Sequence, residues 1–397
     1  MRCTPSILRR LVLLLLGGSL VLVGLGCSSS QPPQPTTEAP PESEGPALFL
    51  LYTTPDDGLT LHDARRGANE VLVEDATAKP ARAVSPSERH LAFTYATADS
   101  SHLALLDLDA REIQRVHAVA GTVTYSLAWH PNRDRLAFGH YRPQENGRGP
   151  GGLHVATPEG TTRDVGCSTV REVLHWLPDG ALATRTDDNL YVVDATDCAT
   201  RASLDARRMH YIRHAPSGQQ VAYIYRELKY DRDRGDYVPD SSLVLSGPQG
   251  ENRETLFGDT RRARHHRWAP EAPELALDVR VEASGHRQVV VYDGSRPTFL
   301  IAPNQTTADQ VHPRWSPSGN HLAFTLRAGS PAQAAVRVQG QTRRLGPVDG
   351  TVWGWLDDRS VVVPGPDSVR VQSLTGTTRY AHPTPETLLH AWRRPAL

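Results

Sequence analysis

Lysine is almost missing from this chain: Lys79 and Lys229 are the only two among 43 basic residues. The other cations are arginines, a skew more simply explained by coding bias than by a phosphate-recognition surface. A formal net charge of −1 leaves no global field to draw the protein to nucleic acid or an anionic membrane. Cysteine is scarce too. Cys3, Cys27, Cys167 and Cys198 form no CxxC pair, so no thiolate metal site is expected. The sequence has no G-x-S-x-G elbow, no H-E-x-x-H and no phosphate-cradling loop, and no cofactor is implied. DRDRGD at 231–236 has some of the spacing of a calcium loop, but Arg234 stands where an oxygen ligand belongs. Beyond residue 26 there is no second long apolar run, and no amphipathic helical period of useful length.

What is present begins with a leader. Arg2, Arg9 and Arg10 precede the apolar run LVLLLLGGSLVLVGLG at 11–26, the build of a secretory signal. The run stops at Cys27, with Gly26 before it and three serines after. This resembles a bacterial lipoprotein signal, which implies removal of residues 1–26 and lipidation of Cys27 as the only membrane attachment. Gly24 departs from the pattern, since leucine is usual there. An ordinary cleaved signal or an uncleaved anchor is the alternative. Ser28 in place of aspartate implies sorting to the outer membrane, facing the periplasm, by the rule for enteric bacteria. Residues 27–45 are rich in Pro, Ser, Thr and Glu without apolar periodicity, as expected of an extended tether. Cys167 and Cys198, an even pair in an exported chain, are expected to form a disulfide; two separate buried thiols are the alternative.

From residue 46 onward the chain repeats. AVSPSERHLAFTY, AWHPNRDRLAFGHY, HWLPDGALATR, RHAPSGQQVAYIY, RWAPEAPELALDV, HPRWSPSGNHLAFTL and GWLDDRSVVVP are copies of one unit. The anchor position falls at Val84, Trp129, Trp176, His214, Trp268, Trp315 and Trp355, with spacings of 45, 47, 38, 54, 47 and 40 residues. A period near 40–45 suits a four-stranded propeller blade. In each copy the anchor ends a strand, a tight turn follows that contains Pro in all but the last copy, and an LAF-type strand comes next. Alternating runs such as HLALLDLDA and QVVVYD predict third strands.

The W-S-P-x-G-x-x-L-A-F pattern resembles the propeller repeats of TolB-like proteins, a WD-repeat-like family of exported bacterial propellers. It covers nearly all of 46–397 and implies an all-β propeller. The family's Asp before Gly is kept at Asp179 and replaced at Ser217 and Ser318. TLLHAW at 387–392 repeats the anchor strand with Trp392, yet little chain follows it. ALFLLYT and GLTLHDA, near 47–64, have no anchor strand before them. Pairing the two ends gives eight blades; seven is the alternative.

Two sets of polar residues are candidates for binding. Arg226, Arg280 and Arg327 share one offset after the second strand, and Arg142 lies one residue away from it. Such an arc suits an acidic peptide, a carboxylate or an anionic glycan. Tyr230 and Tyr237, in a long insertion, add amphipathic contact area. His210, His265, His266, His312 and His390 precede anchors and are expected near the central channel. The tryptophan anchors Trp129, Trp176, Trp268, Trp315, Trp355 and Trp392 are read as core. The expectation is a lipid-anchored, non-enzymatic scaffold with a monomeric body, whose partners are envelope proteins or peptides. A glycan- or anionic-peptide-binding module is one alternative. A hydrolase or lyase with an unrecognised channel site is the other.

Overall fold

The computed structural model describes residues 47–394, apart from 55–57, 145–146, 233–234, 258–262, 282–283, 301–306 and 384–386. The leader, Cys27 and the tether lie outside the described residues. Every element among the described residues is a strand, and the strands form eight four-stranded antiparallel sheets. We number these blades I to VIII. Blade I takes Ala47–Thr54, Gly58–Asp63 and Ala68–Val73 from the N-terminal side and Thr387–Arg394 from the C-terminal side. Blades II to VIII then run in order through residues 77–120, 124–164, 172–205, 209–257, 263–299, 309–348 and 354–383. In each of these the first strand is innermost. The eight inner strands touch one another in sequence, and the last returns to blade II, which closes the ring.

Burial explains why the second strands are continuous apolar runs instead of alternating ones. His90–Ala96 is buried through its whole middle, because neighbouring blades cover both faces of the sheet. The outermost Ile113–Ala120 of the same blade has one face in solvent and shows the mixed pattern expected there. The turn after the anchor takes one form in four of the blades. Gly180, Gly218 and Gly319 adopt positive φ and donate their N–H to the carbonyl three residues back. In blade II, Glu88 takes the same left-handed position at φ 57°.

Five of the anchors fasten their blade to the one before it. The indole Nε1–H of Trp129 donates to Ala83 O at 2.9 Å, and that of Trp176 to Ala128 O at 2.9 Å. Trp268, Trp315 and Trp355 donate to Arg213 O, Arg267 O and Arg314 O at 3.0, 3.0 and 2.8 Å. In all five cases the acceptor is the residue immediately before the preceding blade's anchor. His214 has no indole, and its ring stacks instead on His175 at 5.5 Å.

The ends of the chain join as a clasp, which makes eight blades and not seven. Ala47–Thr54 pairs antiparallel with Thr387–Arg394, and Phe49 stacks on Trp392 at 5.4 Å. A disulfide links Cys167, after the outer strand of blade III, to Cys198, in a hairpin turn of blade IV, with Cα atoms 5.6 Å apart.

Candidate functional site

Blades V, VI and VII place the same side-chain types at the same positions around one end of the channel. The pattern starts from a register shift in each inner strand, between His210 and Arg213, Arg264 and Arg267, and Val311 and Arg314. One residue in each bulge takes a left-handed backbone: Tyr211 at φ 54°, His265 at 49° and His312 at 57°. Non-glycine residues rarely adopt this conformation, and it persists only where the surroundings hold it in place. Its effect here is to turn three rings away from the sheets. Tyr211 remains 66% exposed, and the His265 and His312 rings lie 3.8 Å apart by centroid.

A buried carboxylate holds the bulges of blades VI and VII. Asp278, fully buried in the second strand of blade VI, accepts from Arg287 Nε at 2.7 Å and pairs with its guanidinium. It lies 2.6 Å from His265 Nδ1 and accepts the backbone N–H of His312 at 3.2 Å. Burial alone would raise its pKa, but the bonds and charges of His265 and Arg287 override this and hold it below the usual carboxylate range. His312 is pushed down to about 4 by burial and by His265, against the pull of Asp278.

Two tiers of arginine surround these rings. At the outer tier Arg280 and Arg327 end the second strands of blades VI and VII, and Arg226 lies within the longer second strand of blade V, all exposed. Arg226 sits 5.9 Å over the Tyr211 ring and Arg327 acts on His312, so the expected arc and the channel histidines share one mouth. The inner tier is Arg213, Arg267 and Arg314, each the residue before its anchor. Arg82 of blade II joins them, 4.4 Å over the Trp353 ring and donating to Leu388 O at 3.3 Å. Arg82 and Arg314 repel each other although they belong to well-separated blades, which is possible only across the channel. Burial depresses all four; repulsion from neighbouring arginines adds to it at Arg82, Arg267 and Arg314, whereas Glu172 opposes it at Arg213, and Arg267 falls to about 10. Arg82 and Arg213 keep accessible surface even so, because the channel is open to solvent while protein surrounds it. None of these seven arginines makes an ion pair among the described residues.

The other expected residues are placed as follows. His210 is half-buried beside Arg226. His266 is buried in the blade with 3% exposure and pushed down to about 4, so it does not face the mouth. His390, on the clasp strand, is pushed down to about 3 by burial and by Arg82. Arg142 lies on blade III, where it donates to Ala120 O at 3.3 Å. Tyr230 and Tyr237 face each other across the long hairpin of blade V, edge-on at 5.4 Å, and are 56% and 62% exposed. The inner arginines were missed in the sequence. The signal was there as an arginine directly before the anchor at 213, 267 and 314.

No protein-family model and no curated protein matches the sequence. Solved structures do. A eukaryotic initiation factor is 14% identical over 89% of this chain and 99% of its own, with a TM-score of 0.54. The propeller domain of the Trilobed protease from Pyrococcus furiosus is 12% identical over 77% of this chain and 97% of its own, at 0.50. TolB from Acinetobacter baumannii is 12% identical over 88% of this chain and 66% of its own, at 0.39. At such identities the likeness is one of architecture: the chain is an eight-bladed β-propeller.

Proposed function

We propose that this protein is a non-enzymatic binding propeller whose channel mouth over blades V to VII receives an acidic segment of a partner protein. One observation carries the reading: seven arginines gather at the mouth and in the channel without an ion pair among the described residues. In a chain with a net charge of −1 such a cluster is self-repelling, and carboxylates from a ligand would relieve it. Guanidinium forks suit carboxylates in geometry as well as in charge. The blade V hairpin supports the same reading, since Leu228, Tyr230 and Tyr237 are exposed on one of its faces. The leader and tether fit a body held in the cell envelope by an acylated Cys27, where an exported partner would meet it.

The test is binding of a fluorescent Asp/Glu-rich peptide, measured against salt. Wild-type protein is expected to bind, with affinity falling as salt rises. Arg213→Gln with Arg314→Gln should weaken binding about tenfold or more, at about 1.5–3 kcal/mol per hydrogen bond to a charged group. Equal binding by both proteins overturns the assignment. Replacing Cys27 with Ser should release the protein from membranes, and retention with the signal removed would refute the anchor.

The His265–Asp278 pair supports a second reading. A buried carboxylate orienting a half-exposed imidazole is the arrangement of a general base. A hydrolase or lyase at this mouth would lose turnover in His265→Gln and keep peptide affinity, whereas a binding module would have no turnover to lose.

A further inference from the structure

Outside the channel, three more histidines converge. His117 lies in the outermost strand of blade II, Ile113–Ala120. His140 and His154 lie in the second and third strands of blade III, Leu136–Gln144 and Gly147–Ala156. The pairing His140↔Gly152 and Phe138↔His154 puts both blade III histidines on one face of their sheet. Ring centroids are 4.9 Å apart for His117 with His140, 4.9 Å for His117 with His154, and 5.2 Å for His140 with His154. One ring nitrogen from each falls within 4.8 Å of the others.

We propose that His117, His140 and His154 bind a divalent transition-metal cation of the zinc class between blades II and III. Three imidazoles suit zinc, nickel or copper and do not suit magnesium or calcium, which take oxygen ligands. Metal–nitrogen bonds of about 2.0–2.1 Å need tetrahedral donors roughly 3.4 Å apart, so small ring rotations close the set. Three protein ligands leave a further coordination position for water or an exogenous ligand.

Three further features fit a cation. The Tyr125 hydroxyl donates to Ser101 O at 3.3 Å, which leaves its oxygen to accept from His117 Nδ1–H at 3.1 Å. That bond fixes the tautomer and keeps the Nε2 lone pair free, as an outer-shell partner does for a ligating histidine. His140 Nδ1 and His154 Nε2 are buried nitrogens with no hydrogen-bond partner. Position 152 also has no side chain to crowd the rings. A Cβ there would come within 3.0 Å of His154 Nε2 and 3.3 Å of His140 Cε1, so glycine is kept for space.

The experiment titrates Zn²⁺ into the tag-free full chain after chelator treatment, by calorimetry, with Co²⁺ absorbance as a second readout. One site per chain is expected, with the visible bands of a low-coordinate cobalt centre. Tyr125→Phe keeps all three ligands and should weaken Zn²⁺ about tenfold, within the 10- to 100-fold cost of losing an outer-shell partner. Gly152→Ala should also weaken it. His154→Asn should abolish the site while metal-free circular dichroism stays unchanged. If His154→Asn fails to fold, the wild-type stoichiometry and the Tyr125→Phe shift decide. Failure of wild-type protein to take up Zn²⁺, or equal uptake by wild type and a triple His117→Asn, His140→Asn, His154→Asn variant, overturns the proposal.

Discussion

Substituting Asn for Asp278 tests whether the mouth is held from beneath. The carboxylate is fully buried, while Arg287 is 15% exposed and His265 is 37% exposed. Losing one partner of a buried ion pair costs about 3–5 kcal/mol. The exposed His265 can turn to water, so its share is discounted. Asparagine also keeps an acceptor for the His312 N–H, which places the expected loss near the lower limit, about 3 kcal/mol. At about 2 °C per kcal/mol for a large domain the melting temperature should fall by roughly 6 °C. The pH dependence has a definite sign. Asp278 has a depressed pKa in the folded state, so its contribution is present above the ordinary carboxylate range, near pH 4, and is lost as pH falls through the folded value. Urea unfolding of both proteins from neutral pH down to pH 3 should show curves that converge at the acid end. Acidic-peptide affinity should drop as well, although every arginine remains. A loss under about 1 kcal/mol at neutral pH would refute the buried-hub reasoning.

Three other predictions concern the body. Deleting Thr387–Arg394 removes buried Leu388, Leu389 and Trp392 and uncovers Phe49 to Tyr52; at about 1.5–3 kcal/mol per large side chain the loss rivals the stability of a whole domain. Calorimetry should show no cooperative transition, and unchanged melting would rule out the clasp. Cys198→Ser opens a loop of 31 residues and should cost about 3–4 kcal/mol in the chain-entropy model, read by denaturant unfolding with and without reductant. His214, His266, His312 and His390 are depressed to about 3, 4, 4 and 3, so unfolding at pH 5 should take up roughly three to four protons at these sites. Stability should therefore fall steeply as pH drops from about 6.5 toward 4, and a flat profile over that window would contradict the buried, neutral imidazoles.

Much of the architecture was legible in the sequence because a blade cannot bury its faces alone, and its copies therefore carry one pattern of anchor, turn and apolar strand. The clasp was legible as an orphan anchor strand around Trp392 facing orphan second and third strands near 47–64. The site was harder to read. Arg226, Arg280 and Arg327 stood out by their shared offset, but a single-residue pattern gives no direction, and Arg213, Arg267 and Arg314 were hidden beside conspicuous aromatics. The bulges at Tyr211, His265 and His312 had no signal, since left-handed backbone at non-glycine residues follows from tertiary support such as Asp278. The His117, His140 and His154 cluster joins two blades, and spacing along one chain does not reveal which outer strand faces which neighbour.

The indole bonds also bear on how far the blades are interchangeable. Trp268, Trp315 and Trp355 grip the backbone of Arg213, Arg267 and Arg314, so each of these three arginines is seated by the module after it. A blade excised and transplanted as a cassette would carry its own arginine and leave behind the residue that positions it. It would also release the arginine of the blade upstream. Exchanging one module therefore alters two seats in the channel, and blade VIII, which supplies no inner-tier arginine, still governs that of blade VII.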